Sequence, residues 1–198
     1  MKKAWGIPDE DFIRGKVPMT KREVRILTMA KAEISPKDTV WDVGAGTGSM
    51  SVEAALLAPE GRVYAVERKG EGASLIRQNA EKFGAKNITV VEGEAPEALD
   101  LLPECDAVII GGSGSRLAEI LDKAAEKLAD GGRIVINSVT IQTLSEAVEY
   151  FRRKSEAFTY EAVCVQVTRL EAVGRYDMMK ALNPIYILTA KKNPGRDD

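Results

Sequence analysis

The sequence predicts an α/β fold built around a mostly parallel β-sheet, and two observations support this prediction. Between residues 39 and 154, apolar runs typical of buried strands alternate with amphipathic runs typical of helices. After residue 154 this alternation stops, and two β-rich runs follow with no helical stripe between them. We expect these two runs to pair as antiparallel neighbours.

Five strands are predicted in the alternating part of the chain. They are TVWDV (39–43), RVYAVE (62–67), NITVVEG (87–93), CDAVIIGG (105–112) and RIVINS (133–138). The first two strands precede helices that we expect to end near Ala58 and Phe83, where Gly84 is a stop signal. The fourth strand precedes a helix with the apolar spacing of a core-facing surface, at Leu117, Ile120, Leu121, Ala124, Ala125 and Leu128.

The two ends of the chain follow different patterns. Residues 1–19 predict an irregular lead-in, and Thr20 to Glu23 have the form of a capping box that opens a helix through about Ala32. The β-rich runs near the carboxyl end are FTYEAVCVQVTR and PIYILTA, and the intervening LEAVGRYDMMKALN is predicted to be a projecting loop. We expect one domain over 1–198, divided into a lead-in and helix (1–38), an alternating core (39–154) and a C-terminal β-hairpin (155–198).

Composition excludes several classes of function. The 28 basic and 30 acidic residues give a net charge of −2, which does not favour binding to nucleic acid or to an anionic membrane. No apolar stretch approaches the roughly 18 residues of a membrane span, and the first residues turn acidic where a signal peptide would be apolar. The sequence therefore predicts a cytoplasmic protein without a nucleic-acid or membrane partner.

The chain contains no histidine and only two cysteines, Cys105 and Cys164. Zinc sites built on cysteine and histidine, Ser-His-Asp hydrolysis and histidine acid–base catalysis all lack their residues. We expect no metal site. Both cysteines lie within apolar runs, so we expect them to be small buried hydrophobic residues.

A glycine-rich turn follows the first strand and suggests a ligand site at the carboxyl edge of the sheet. Gly44, Gly46 and Gly48 form G-x-G-x-G, which departs from the dinucleotide pattern G-x-G-x-x-G. Asp42 would repel a pyrophosphate beside this turn but suits a ligand that carries an ammonium group. Glu67 ends the second strand 19 residues after Gly48, where an acid can accept hydrogen bonds from both hydroxyls of a ribose.

Two further acids, Glu92 and Glu94, lie at the end of the third predicted strand. A nucleoside with a sulfonium and an amino group fits such acidic surroundings, whereas a diphosphate does not. We therefore predict that the ligand is the methyl donor S-adenosylmethionine.

Four stretches of the chain resemble one family of enzymes. PMTKREVR (18–25), VWDVGAGTGSMSVEAA (40–55), GEAPEAL (93–99) and IIGGSGS (109–115) are similar to the decarboxylating cobalt-precorrin-6B methyltransferases of cobalamin biosynthesis. These enzymes have the class I methyltransferase (Rossmann-like) fold, so the resemblance implies seven strands with an antiparallel last strand. It also implies these donor-binding positions: Thr20, Gly44, Ala45, Gly46, Thr47, Gly48, Glu67 and Ala95, with Glu94 beside Ala95. We expect a helix to start at Ala95, at the end of the third strand.

The same resemblance implies a cobalt corrinoid substrate that is methylated at carbon 15 and loses carbon dioxide from the acetate at carbon 12. Gly112, Ser113 and Gly114 would let this bulky, flat substrate approach the methyl group. We expect its carboxylates to be held by cationic side chains, with these candidates: Lys21, Arg116, Arg169 and Arg175. No side chain is expected to act as a nucleophile, and the resemblance suggests a homotetramer.

Three alternatives remain open from the sequence. A tRNA adenine methyltransferase shares the expected fold, although the even mixture of acids and bases does not favour RNA binding. A dinucleotide-dependent oxidoreductase would also use a glycine turn and a ribose-binding acid. A donor-binding subunit without catalytic activity is the third alternative, because no predicted residue is chemically indispensable.

Overall fold

The computed structural model describes residues 5–195. Its strands are β1 (Thr39–Val43), β2 (Arg62–Glu67), β3 (Ile88–Glu92), β4 (Cys105–Ile110), β5 (Leu128–Ser138), β6 (Phe158–Val165), β7 (Thr168–Val173), β8 (Tyr176–Ala181) and β9 (Ile185–Lys192). Its α-helices are α1 (Arg22–Ala32), α2 (Ser49–Leu57), α3 (Gly70–Phe83), α4 (Leu117–Lys127) and α5 (Ile141–Arg153). Single 3-10 turns lie at Asp9–Asp11 and Glu97–Leu99.

Seven strands form one sheet in the order β3-β2-β1-β4-β5-β9-β6. The pairs from β3 to β5 are parallel, whereas β9 is antiparallel to both β5 and β6. The predicted mostly parallel sheet with an antiparallel last strand is therefore confirmed. The strand order reverses direction between β1 and β4, and in open α/β sheets the crevice at such a point is where ligands bind.

Both faces of the sheet are covered, because alternate residues of the central strands point to opposite layers. On one face Trp41, Val108 and Ile134 pack in a cluster with α4 and α5. On the other face Val40 and Ile109 pack with α1 and α2. The apolar runs that predicted the strands are thus buried on two sides, which holds the carboxyl ends of β1, β2, β4 and β5 at one rigid edge.

The capping box predicted at Thr20 is wrong. Helix α1 begins at Arg22 with Lys21 as its N-cap residue, and no side chain caps it. The Glu23 carboxylate, which a capping box needs, instead accepts a hydrogen bond of 2.7 Å from the Arg169 guanidinium. A charged long-range partner has replaced the local one, although the helix does end at Ala32 as predicted.

The predicted projecting loop is also wrong in its secondary structure. Residues 168–181 form a separate two-stranded antiparallel ribbon, β7–β8, which closes at Gly174 with a φ of 63°. The antiparallel pairing predicted for the flanking runs is confirmed by β6 and β9. Cys105 is buried as expected, but Cys164 is exposed because β6 is an edge strand.

Among residues 5–195, the structure contains no helix that is both long and apolar enough to span a membrane. The same residues contain no group of three or more metal-ligating side chains in a suitable arrangement.

Candidate active site

A cavity of about 430 Å³ opens at the carboxyl edge of the sheet. Most of its wall is formed by five short segments, at residues 17–21, 42–47, 66–69, 93–95 and 111–114. These segments follow β1, β2, β3 and β4 or precede α1, so the fold brings together residues that are far apart in the sequence. The position of the cavity agrees with the general rule for ligand sites in open α/β sheets.

Most of the predicted site residues line this cavity. Those with donor assignments are Thr20, Asp42, Gly44, Ala45, Gly46, Thr47, Glu67, Glu94 and Ala95. Those with substrate assignments are Lys21, Gly112, Ser113 and Gly114. Four predicted residues lie outside the cavity wall, namely Gly48, Arg116, Arg169 and Arg175.

The glycines of the turn have different physical roles. Gly44 has a φ of 73°, and a Cβ atom there would lie 2.7 Å from the backbone oxygen of Gly112. Gly44 therefore lets the turn after β1 touch the turn after β4. Gly48 packs against α3 instead, because its Cβ would lie 3.0 Å from Ile76 Cα. This contact explains why Gly48 serves the turn without facing the cavity.

The first three backbone amides of the turn already have protein acceptors. The amides of Gly44 and Ala45 donate to the Val66 carbonyl oxygen at 2.9 and 3.0 Å. The Gly46 amide donates to Glu67 Oε2 at 2.9 Å. A phosphate-binding turn needs such amides to point at its ligand, so this turn presents few donors to an anion.

Glu67 is held in place from both sides at the end of β2. Its Oε2 accepts from the Gly46 amide, and its Oε1 accepts from the Lys69 amide at 2.8 Å. Each carboxylate oxygen can accept a second hydrogen bond, so both remain able to bind a diol. Gly72 makes room for this side chain, since a Cβ there would lie 2.7 Å from Glu67 Cγ.

Asp42 lies at the bottom of the cavity wall with 1% of its surface exposed. Its carboxylate accepts a hydrogen bond from the Ser51 hydroxyl at 2.5 Å. Burial raises the pKa of Asp42 to about 6, an effect opposed by the hydrogen bonds from Ser51 and increased by the charge of Glu67. A cationic ligand would stabilise the ionised form of this buried carboxylate, because its charge offsets the desolvation that raises the pKa.

The acids after β3 are paired with cations. Glu94 accepts from Arg68 Nη1 at 2.9 Å, and Glu92 accepts from Arg77 Nη2 at 2.5 Å. The helix predicted to start at Ala95 is wrong, since the structure has only the 3-10 turn at Glu97–Leu99. The negative charges of Glu92 and Glu94 are therefore largely neutralised by arginines. Among the acids predicted for the site, Asp42 and Glu67 are the ones not paired with a cation in the described residues.

Of the four cations predicted to hold substrate, only Lys21 lines the cavity. Arg116 donates to both Glu97 and Glu119, and these hydrogen bonds lower the pKa of each carboxyl group. The short spacing from Arg116 to Glu119 favours this local pairing over the cleft.

The other two predicted cations belong to the β7–β8 ribbon. Arg169 donates to Glu23 and Asp9, so it ties the ribbon to α1 and to the segment before it. Arg175 lies at the turn of the ribbon, with its guanidinium carbon 5.0 Å from the ring centre of Tyr176. The contacts of Arg169 could not be read from the sequence, because they depend on where the ribbon lies.

Several residues that line the cavity were not predicted from the sequence, including Arg68, Lys69 and Asn137. Asn137 Oδ1 accepts a hydrogen bond of 3.0 Å from the Thr28 hydroxyl, and its Nδ2 has no partner among residues 5–195. A signal for these residues was available. Arg68 and Lys69 directly follow the predicted ribose-binding acid, and Asn137 lies at the carboxyl end of a predicted parallel strand.

The sheet order, with its antiparallel β9 beside β5, is that of the class I methyltransferase fold. Comparisons with known proteins identify the family within this class. A family model described as "Precorrin methyltransferase domain" matches residues 11–192. The chain therefore belongs to the precorrin methyltransferase family.

Individual relatives agree with this assignment. A probable cobalt-precorrin-6B C(15)-methyltransferase (decarboxylating) from Pyrobaculum calidifontis is 46% identical over 93% of this chain and 95% of its own length. The crystal structure of a precorrin-6y C5,15-methyltransferase from Geobacter metallireducens has a TM-score of 0.89 at 43% identity, covering 96% of this chain and all of that one. The structure of a precorrin 8W decarboxylase from Methanobacterium thermoautotrophicum has a TM-score of 0.85 at 38% identity, covering 92% of this chain and 98% of that one.

Proposed function

We propose that this protein uses S-adenosylmethionine to methylate carbon 15 of cobalt-precorrin-6B and removes carbon dioxide from the acetate at carbon 12, in the cobalamin pathway. The names of relatives at 46% and 43% identity over nearly the whole chain support this reaction. One observation favours S-adenosylmethionine over a dinucleotide, namely that the glycine turn offers the cavity carboxylates and few free amides. Its amides are occupied by protein acceptors, and the carboxylates of Asp42 and Glu67 line the cavity instead.

The described residues fit this donor. Glu67 keeps a free acceptor site on each oxygen for the two ribose hydroxyls. Asp42 supplies negative charge for the ammonium or sulfonium group. The Thr47 hydroxyl is buried without a partner among residues 5–195, and it lies in the cavity wall, where a donor carboxylate is one acceptor of the right kind. Thr20 and Ala95 also line the cavity, and we assign the Thr20 hydroxyl to the amino acid end of the donor and the Ala95 backbone amide to its adenine.

The acceptor is expected beside residues 111–114, whose small side chains leave the entrance above β4 open. Corrinoid intermediates carry several carboxylates, and cations near the entrance would hold them. Lys21 and Lys69 line the cavity, and among residues 5–195 the side chain of neither has a salt-bridge partner within 4 Å. We therefore propose Lys21 and Lys69 for this role, with Arg68 available if the ligand displaces Glu94.

The mechanism needs alignment more than acid–base chemistry from the protein. S-adenosylmethionine, when bound, supplies an electrophilic methyl group. The turn at residues 44–48 and the doubly held Glu67 would hold the donor in one orientation, and such fixation can lower the barrier by roughly 7–11 kcal/mol. In the decarboxylation, the electron pair of the broken carbon–carboxylate bond would enter the conjugated macrocycle, and uptake of one proton from water would convert the remaining methylene to a methyl group. The protein's part in that step is to hold the substrate carboxylates that are retained.

We also propose that the protein acts in the cytoplasm as a single domain over 1–198 and assembles as a homotetramer. The β7–β8 ribbon supports self-association, because Leu170 and Met179 are 70% and 79% exposed on it. Light scattering after size-exclusion chromatography tests this assembly. L170E combined with M179D should yield smaller species, and an unchanged mass would exclude the ribbon as the interface.

A product analysis tests the reaction. The protein is incubated without oxygen with purified cobalt-precorrin-6B and S-adenosylmethionine that carries an isotopic label on its methyl group. Mass spectrometry should find a product that has gained the label and lost carbon dioxide, while E67A gives little of either change. Absence of labelled product with the native protein would contradict the proposal, and tight binding of NADH in place of the donor would favour the oxidoreductase alternative.

A further inference from the structure

The segment at residues 5–21, here called the strap, is a structured part of the cavity rather than a passive lead-in. Its last residues form one wall, and the Pro18 carbonyl oxygen lies 3.3 Å from where a Cβ of Gly46 would be. Its apolar residues Ile7, Phe12 and Met19 pack in one cluster with Val52 of α2. The strap thus lies over the glycine turn and is anchored on the helices that follow it.

One buried side chain joins the strap to the glycine turn. Asn79 of α3 is 0% exposed. Its Oδ1 accepts from the Ile13 amide at 2.8 Å, and its Nδ2 donates to the Ile13 carbonyl oxygen at 3.0 Å. The same Nδ2 donates to the Thr47 carbonyl oxygen at 2.9 Å. A single amide therefore uses its acceptor and both donor hydrogens to hold two backbone segments together.

The residue held on the turn side is one that a ligand is expected to touch. Thr47 lines the cavity, and its buried hydroxyl has no partner among residues 5–195. A hydroxyl that is buried and unpaired is energetically unfavourable, and a bound ligand that accepts its hydrogen bond removes this penalty. Through its bond to Thr47, Asn79 sets the position of that hydroxyl, while its bonds to Ile13 set the position of the strap.

The strap has further anchors that keep it folded when Asn79 is altered. The amides of Gly6 and Ile7 donate to the buried Glu53 carboxylate at 3.0 and 3.1 Å. Arg25 donates to the Thr20 carbonyl oxygen at 2.6 Å near the other end. Ile13 lies between these anchors, so loss of the Asn79 bonds would loosen the middle of the strap without releasing its ends.

We propose that Asn79 is a positioning residue that couples closure of the strap to binding of the methyl donor. This inference rests on the proposed donor site. Because coupling between two events is reciprocal, a donor that is held better by the closed strap must also hold the strap closed. Donor binding and protection of the strap backbone therefore rise and fall together, and Asn79 links the two.

The test uses the full chain and S-adenosylhomocysteine as the probe. Isothermal titration gives its affinity, and hydrogen exchange followed by mass spectrometry reports on peptides from residues 5–21. In the native protein the probe should slow exchange in the strap. N79A should raise the dissociation constant about tenfold, which corresponds to about 1.4 kcal/mol, and should speed exchange around Ile13 while the ends of the strap stay protected.

N87A is the matched control. Asn87 is a partly buried amide that likewise bonds to distant backbone, because its Nδ2 donates to the carbonyl oxygens of Ala55 and Ala58, away from the strap and the turn. N87A should lower the melting temperature but leave probe affinity and strap exchange as in the native protein.

Each outcome decides the inference. If the native strap exchanges at the same rate with and without the probe, the coupling does not exist, even where N79A fails to fold. If N79A binds the probe as tightly as the native protein, Asn79 has no positioning role. If the native protein does not bind the probe at all, the proposed donor site itself is wrong, and this inference falls with it.

Discussion

The Gly46 amide donates a hydrogen bond of 2.9 Å to Glu67 Oε2, and this bond joins the turn after β1 to the acid that ends β2. The two residues come from neighbouring parallel strands whose ends meet at the same edge. The bond keeps the turn closed to an anion and sets the angle of the Glu67 carboxylate. A ligand therefore meets an acceptor that is already in place, which lowers the ordering cost of binding.

Removal of the Glu67 carboxylate should weaken donor binding strongly. Hydrogen bonds to a charged group contribute about 1.5–3 kcal/mol, so we expect E67A to raise the dissociation constant of S-adenosylhomocysteine by roughly 10- to 150-fold. Calorimetric titration measures this change. E60A is a suitable control because Glu60 is exposed and its salt-bridge contact, with Lys37, is a loose one of 3.9 Å. An E67A affinity equal to that of E60A would remove Glu67 from the donor site.

Replacement of Asp42 by asparagine should make the protein more stable and should weaken its binding of the donor. Burial raises its pKa from 3.8 to about 6, so at pH 7 the folded protein holds an ionised group at a cost of roughly 2–3 kcal/mol. D42N removes this cost and should raise the melting temperature at pH 7. The same variant should bind the donor at least tenfold more weakly, since the cationic ligand loses its counter-charge.

The destabilisation caused by ionised Asp42 should increase with pH. The folded protein binds the Asp42 proton more tightly than the unfolded chain does, so the cost is absent below about pH 4, grows as the pH rises, and is complete above about pH 6. The stability difference between D42N and the native protein should therefore disappear toward pH 4. Native donor affinity should fall as the pH drops through 6, whereas D42N should lack this step. A D42N profile that keeps the step would assign it to another group.

Removal of one partner of the buried ion pair between Arg25 and Glu53 should strongly destabilise the protein. Both side chains are fully buried, and Arg25 Nε lies 3.0 Å from Glu53 Oε1. R25M leaves an unpaired buried carboxylate and should lower the free energy of unfolding by about 3–5 kcal/mol, while R25M/E53Q should recover part of this loss. Urea unfolding measures both. K31A breaks the exposed pair with Glu161 and should change stability by about 1 kcal/mol or less.

Replacement of Asn137 should weaken the reaction with the corrinoid substrate without changing the binding of the methyl donor. It lies on β5, two strands beyond β1 in the sheet order, which corresponds to roughly 10 Å at a strand spacing of about 4.8 Å. Its Nδ2 has no partner among residues 5–195. We expect N137A to lower kcat/KM for the corrinoid about tenfold and N137D to lower it further by repulsion of substrate carboxylates.

The control for Asn137 is N193A, because Asn193 follows the far end of β9 and its side-chain Nδ2 donates to the Glu156 carbonyl oxygen, far from the cavity wall. Steady-state turnover and titration with S-adenosylhomocysteine should be measured on all three variants. Donor affinity should stay within about twofold of the native value in each. Loss of donor affinity in N137A would place Asn137 on the donor side of the cavity instead.

Local sequence patterns were sufficient to predict the alternating strands and helices and to locate the site residues that follow the strands. The glycine turn and Glu67 could be located because a parallel sheet brings the carboxyl ends of its strands to one edge. The β7–β8 ribbon was missed because its two strands have exposed, mixed faces without a clear alternation. Asn79 was missed because nothing in a helical pattern distinguishes a buried amide that bonds to distant backbone from one on the surface.

The sequence by itself determined the fold class, the cavity edge and the acidic character of the site, since these follow from periodicity and from short motifs within single strand–helix units. Tertiary structure alone decided which charges are free. Arg116 and Arg169 form ion pairs with Glu97 and Glu23, and the strap lies against the glycine turn. The physical reason is that the energy of a charge or of a buried amide depends on its nearest partners in space. Those partners come from distant parts of the chain.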